Sequence, residues 1–168
     1  GIDSRFSDPH SFIYYDYPAG GGGGRKHKDG LDFVRTLRSG NLNVQSIEVL
    51  ENLFPVLFQR HNLRQDSGGP GCFRGGMGVI REYTTSSEGS VSILSDHAFV
   101  PPAGLFNGHP GATSRWEVVR DGKAMAISPQ LGSKITAFPI QAGDTLRVYT
   151  QGGGGYGDRG SWKILNTA

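Results

Sequence analysis

Residues 115–128 read RWEVVRDGKAMAIS. The pair Asp121-Gly122 at the centre supplies the positive φ angles that a two-residue type I′ turn requires, and strand-like runs flank it on both sides. A hairpin here commits its neighbours to antiparallel pairing. Working outward, KITAFPI (134–140) and TLRVYT (145–150, after the turn signal AGD) follow it, and GSVSILSD (89–96) precedes it with Val91 and Ile93 on one face. Further upstream, GVIREYT (78–84) alternates in the same way, and VLFQRHNL (56–63) puts Leu57, Gln59, His61 and Leu63 on one face. The aromatic run FIYYDY (12–17) has high β propensity and is stopped by Pro18 and the glycines after it. Little helix is expected, mostly before residue 56: one or two turns in LDFVRTLR (31–38), and IEVLENLF (47–54), which periodicity leaves open between helix and strand until Pro55. These readings predict a mainly β chain, with α+β as the alternative, built on an antiparallel sandwich-like or barrel-like sheet and forming one domain over residues 1–168.

Glycine is the outlier in composition. There are 27 among 168 residues, roughly 16% against about 7% in an ordinary chain. They cluster at 20–24 (GGGGG), 68–78 (GGPGCFRGGMG) and 152–160 (GGGGYGDRG), and each cluster abuts a strand-like segment, so they read as long ordered loops and not as linkers. The remaining bulk properties exclude several classes. No apolar run approaches the ~20 residues a membrane span needs, and GIDSRFSDPH has neither the basic nor the apolar region of a signal peptide. The formal net charge of +2, with one short basic cluster at RKHK (25–28), gives no nucleic-acid stripe. Cys72 is the only cysteine, which rules out an intrachain disulfide and multi-thiolate zinc sites and suits a cytoplasmic setting.

Several motifs compete for the chemistry. DSGGP (66–70) matches the tail of the serine-protease nucleophile stretch, but Gln65 stands where glycine is needed, and none of the upstream histidines, His10, His27 and His61, has a suitable context. Cys72 lacks the electropositive setting of a nucleophile apart from Arg74, and reads as a small buried apolar residue. GGGGYG and GYGDRG match G-x-G-x-x-G without the helix and downstream acid a dinucleotide site requires. No GxxxxGK[ST] occurs, and His and carboxylates show no metal-ligand spacing, so no metal site is expected in this chain.

The glycine loops themselves remain. Successive amides exposed by glycine can cradle an anion, or the missing side chains can let backbones pack on one another. Packing is the expectation for residues 20–24 and 152–155. Around Asp66 the two stay open, because Arg64, Asp66, Ser67 and Arg74 add polar side chains able to bind a carboxylate or phosphate.

The order AGGGGGRKHKDG, IEVLENLFP, LRQDSGGPGCFRGGMGVIREY, PPAGLFNGHPG, GGGGYGD resembles the C-terminal portion of hydantoinase B/oxoprolinase proteins. That resemblance implies a part in ATP-dependent chemistry on a cyclic amide or ketone by way of a phosphorylated intermediate. It further implies a hetero-oligomer, in which a hydantoinase A-like chain binds ATP and Mg and the remaining hydantoinase B-like part lies on another chain, with no nucleic-acid or membrane partner. Arg64, Asp66, Ser67 and Arg74 are then the catalytic candidates. Gly68, Gly69, Gly71, Gly75 and Gly76, with Gly152, Gly153, Gly154, Gly155, Tyr156 and Asp158, are candidate anion loops. The alternative is a structural subunit without catalytic side chains, shaping a site made by its neighbours, with Trp116, Trp162 and Phe106 available to an interface.

Overall fold

The computed structural model describes residues 1–34 and 45–161. Its main sheet is built from β3 at Val56–Leu63, β4 at Val79–Thr85, β6 at Arg115–Arg120, β7 at Lys123–Ala126 and β9 at Thr145–Tyr149, antiparallel and in the order β3-β4-β9-β6-β7. Two further pairs stand apart: β5 (Gly89–Leu94) with β8 (Lys134–Ile140), and the short N-terminal β1 (Ile2–Asp3) with β2 (His10–Ser11). The one α-helix among the described residues, α1, covers Ile47–Leu53 and buries Leu50. It settles the open reading of IEVLENLF as helix, and Pro55 ends it.

The 121–122 turn forms as its residues dictate. Asp121 and Gly122 take φ of 50° and 73°, and β6 and β7 pair from Arg120↔Lys123 outward to Glu117↔Ala126. Alternation then sorts the faces. On β4, Val79, Arg81, Tyr83 and Thr85 point inward, and Ile80, Glu82 and Thr84 do not. Val56, Tyr83, Val118, Leu146, Ile93 and Ile127 form the core, with Phe58, Trp116, Val91, Ile135, Phe138 and Ile140 packed against it. The β5–β8 ribbon therefore closes over one face of the five-stranded sheet. The result is sandwich-like, and the sheet does not close into a barrel.

Two local expectations change. Strict alternation along 56–63 fails at Gln59, where the β3–β4 register shifts between Phe58 and Arg60, so that Val56 and Phe58 share the inner face with His61. Residues 12–17 run extended, with Phe12, Tyr14 and Asp16 turned inward, but enter no named strand. Tyr14 packs on Phe54 and Tyr83 at centroid distances of 5.0 and 5.8 Å. Of the 31–38 segment, residues 31–34 form a turn and a bridge from Val34 to Gly20, not helix, and 35–38 lie outside the described residues, as does Trp162.

The glycine-rich stretches build a second body continuous with the sheet. Residues 151–156 run through its centre, and their bonds to neighbours repeat every third residue. Gly21 and Gly24 donate to the carbonyls of Gln151 and Gly154, Gly153 and Tyr156 donate to Gly76 and Phe73, and Gly152 and Gly155 donate to Ala112 and His109. Farther out, Gly30 and Phe33 donate to Arg74 and Met77. A period of three is that of the polyproline II helix, which has no internal hydrogen bonds and must direct every one sideways. Side-by-side helices of this kind need glycine wherever one backbone faces another: a methyl group on Gly152 or Gly153 would overlap the carbonyl of Ser67 or Gly22.

A partly buried ion pair ties the corner of the sheet together. Arg120 holds Asp144 through two bonds of 2.9 and 2.6 Å, and the Asp144 carboxylate also accepts the Gln141 amide at 2.8 Å. The Arg120 hydrogen bond, opposed by burial and helped by the Gln141 amide, holds the Asp144 carboxyl below the usual aspartate value. A depressed carboxyl contributes stability that is complete above the unfolded value and is lost as pH falls through the folded one. Acid denaturation below about pH 4 should accordingly begin earlier in the native chain than the loss of surface charge alone predicts, and Asp144→Asn should flatten the stability profile between about pH 5 and pH 2 in urea titrations. An unchanged slope would remove Asp144 from the acid response.

Candidate functional site

The site builds up from the end of β3. After Leu63 the chain turns into the glycine body, and Arg64 pins the junction: its Nη1 donates to the carbonyls of Thr113 at 2.6 Å and Thr150 at 2.9 Å, and its guanidinium lies over the Tyr149 ring. Arg115 stands on the same ring at 4.3 Å. Burial first, then the neighbouring Arg115 charge, lowers the Arg64 pKa from its ordinary value. Ser67 comes next and is 1% exposed. Its hydroxyl donates to the Arg64 carbonyl at 2.6 Å and accepts the Gly78 amide at 2.9 Å. Both partners are main chain, so the hydroxyl clamps the loop between β3 and β4.

Asp66 differs from both. It is exposed, holds the left-handed backbone at φ 56°, and lines a cleft of about 390 Å³ with Gln65, Gly68, Pro70, Arg74, Gly75 and Met77. Arg74, half exposed, stands across the cleft beside two carboxylates, Asp29 Oδ2 at 3.4 Å and Asp32 Oδ2 at 3.8 Å. Those two aspartates also accept backbone amides, Asp29 from Arg74 and Asp32 from Met77 at 2.9 and 2.6 Å.

The fold thus brings Asp66 and Arg74 to one cleft and sets Arg64 and Ser67 behind it as main-chain clamps. It also joins the two candidate anion loops into one block, since the Gly69 amide donates to Gly153 and methyl groups on Gly75 and Gly155 would overlap Gly153 and Pro70. The amides of Gly69, Gly75, Gly76, Gly152, Gly153 and Gly155 all donate to carbonyls within the body. Gly68 and Gly71 lie in the same interlocked stretch, Gly71 against Tyr156, and Gly154 packs against the Ala103 carbonyl. Tyr156 stacks with Phe106 at 5.0 Å, and Asp158 accepts the Gly160 amide at 3.0 Å. Cys72 is buried. Among the described residues no group of three or more His, Cys, Asp or Glu side chains converges, and no helix is long and apolar enough to cross a membrane.

Sequence reasoning missed Asp29 and Asp32. The signal was their spacing: they sit three residues apart in KDGLD, as do their amide partners Arg74 and Met77. That interval matches the three-residue repeat of the glycine helices.

Residues 1–159 match the family described as hydantoinase B/oxoprolinase. The chain belongs to this family. One hydantoinase B relative, the B component of a putative D-/L-hydantoinase from a Pseudomonas species, is 35% identical over 152 residues, which cover 90% of this chain and 25% of that protein. Among solved structures, the ATP-dependent caprolactamase of Pseudomonas jessenii superposes with a TM-score of 0.66 at 28% identity, over 83% of this chain and 24% of that one. An acetone carboxylase in its nucleotide-free form shares the fold, with a TM-score of 0.65 at 18% identity, over 84% of this chain and 23% of that one. The hydantoinase B-like chain spans about a quarter of the length of each.

Proposed function

We propose that this chain is one component of an ATP-dependent assembly that hydrolyses a cyclic amide or carboxylates a ketone by way of a phosphorylated intermediate. A hydantoinase A-like partner supplies ATP and Mg, and other hydantoinase B-like polypeptide supplies the rest of the site. The observation that carries the reading is the family match over nearly the whole chain, supported by the likeness to an ATP-dependent caprolactamase. The sequence has no Walker-type loop, which agrees with a nucleotide held outside these residues. The lone cysteine favours the cytoplasm as the working compartment.

In this reading Asp66 and Arg74 face the substrate-side cleft, and the interlocked glycine body holds them still. Orientation is what such a scaffold contributes, because an activated oxygen is protected and correctly aimed only if the groups around it do not move. The commitment of the Arg64 and Ser67 side chains to main-chain carbonyls and an amide favours a second reading, a structural subunit whose cleft only shapes a neighbour's site.

Asp66→Asn separates them. In the assembly purified with its native partners, substrate-dependent ATP hydrolysis should fall on the order of 10²-fold, with Tm and chain stoichiometry unchanged, since Asp66 is exposed. Unaltered turnover in a fully assembled complex would decide for the structural role. A complex that hydrolyses ATP with no lactam, hydantoin or ketone would end the proposed activity.

A further inference from the structure

One end of the glycine body gathers around Tyr156. Residues 151–156 lead from β9 towards it. There Tyr156 meets Phe73 and Leu105 in bridges on either side, and Gly157 donates to the Leu105 carbonyl at 2.9 Å. Gly24 donates to Gly154 at 2.8 Å, which brings the 25–28 turn to the same end.

Two features of this tip have no ion-pair or packing role among the described residues that would account for them. The first is charge. Arg25 and Lys28 close the turn through their own backbones at 2.9 and 3.3 Å, and the side chains of residues 25–28 are all exposed. Arg25, Lys26 and Lys28 form no ion pair with a described residue, whereas nearby Arg74 is neutralised by Asp29. Three exposed cations within four residues make a local positive patch.

The second feature is an aromatic held out by strain. Phe106 and Asn107 both occupy the left-handed region, at φ 51° and 68°. For a bulky aromatic that conformation is a true outlier. Its outcome is a Phe106 ring 71% exposed beside Leu105 at 57%, braced from below by Tyr156. A turn that served only to connect residues 105 and 108 would relax or use glycine. An exposed aromatic on Tyr156, at the same end of the body as the cationic 25–28 turn, has the make-up of an interface anchor with its steering charge.

From this we infer that the tip formed by the 25–28 and 105–107 turns docks on an acidic surface of a partner protein chain, with Phe106 filling an apolar pocket inside the acidic rim. The inference rests on the reading that the chain works in a hetero-complex. It adds which surface is used and what the partner must present there.

The native assembly, treated with a carbodiimide that joins only amines and carboxylates in direct contact, should yield Lys26 or Lys28 linked to an Asp or Glu of another chain. Lys26→Glu with Lys28→Glu should weaken association of the purified partners by about tenfold or more at low salt, with the salt dependence reduced. Phe106→Ser should weaken it equally at all salt concentrations. Both variants should keep the native Tm, because the substituted side chains are exposed. An assembly that forms normally with these variants, or one in which both lysines stay open to acetylation and link only within their own chain, overturns the docking surface and leaves the hetero-complex standing. Loss of binding to phosphatidylserine vesicles, with assembly untouched, overturns it in favour of a membrane. A chain isolated from its native cells as a monomer sinks both readings.

Discussion

Gly153→Ala should abolish cooperative folding, with a loss of more than ~4 kcal/mol, beyond what most single substitutions cost. The added methyl group would overlap the main-chain carbonyl of Gly22 and crowd the Gly23 amide. Neither is the far end of a flexible side chain that could step aside. The Gly153 amide meanwhile donates to Gly76, and its carbonyl accepts from Gly69. Relief at Gly22 would therefore have to break bonds on two other sides. Collagen shows the same logic, since one residue larger than glycine at its crowded axis disrupts the triple helix locally. Gly23→Ala is the matched control. A methyl group there would find only the Gly154 carbonyl, at an ordinary 3.8 Å, and the change should fall within about 1 kcal/mol of neutral or be slightly stabilising through the unfolded chain. Urea unfolding of the two variants checks both statements. Equal stability would mean that the glycine body is looser than its hydrogen bonds imply.

Asp16→Ala should cost about 3–5 kcal/mol, the penalty for leaving a buried charge without its counter-ion. Arg81 is 1% exposed, its Nη1 bonds Asp16 Oδ1 at 2.9 Å, and its guanidinium lies 4.6 Å from the centre of the Phe58 ring. Its Nε and Nη2 are buried with no hydrogen-bond partner among the described residues, so removing Asp16 would strand an already under-satisfied cation. Burial, and next the Arg81 charge, already push the pKa of the cross-strand neighbour His61 down. Pairing Arg81→Met with Asp16→Leu should recover most of the loss, because apolar replacements of a buried ion pair are often neutral or better. Chemical denaturation of Asp16→Leu, Arg81→Met and the double variant closes the cycle. If the double variant is as unstable as Asp16→Ala alone, packing of the 12–17 segment, and not charge, holds it to the sheet.

The two variants mark what was legible beforehand. Asp121-Gly122 announced its hairpin, because a type I′ turn needs positive φ at both positions and few residue pairs tolerate that. The strands of the main sheet followed from short-range alternation, which a sequence displays directly. The bulge at Gln59 did not, since one extra residue on β3 is decided by its pairing with β4. The candidate site was half legible. Arg64, Asp66, Ser67 and Arg74 stood out as polar residues among glycines, yet their neighbourhood in sequence did not say that Ser67 and Arg64 turn to the main chain while Asp66 and Arg74 face a cleft. Asp29 and Asp32 are 45 residues from the amides they accept, and nothing local points from one to the other.

By itself the sequence determined the strands of the main sheet, the hairpin, the family and the unusual demand for glycine, all of which depend on residues close together along the chain or on their order. Only the tertiary structure decided what the glycines are for. Three distant clusters become one body because each backbone must bring its unpaired amides to a neighbour's carbonyls, and that requirement is met between segments up to about 130 residues apart, as where Gly24 reaches Gly154. Hydrogen bonds made every third residue across such separations leave no trace in any single stretch except the absence of a side chain.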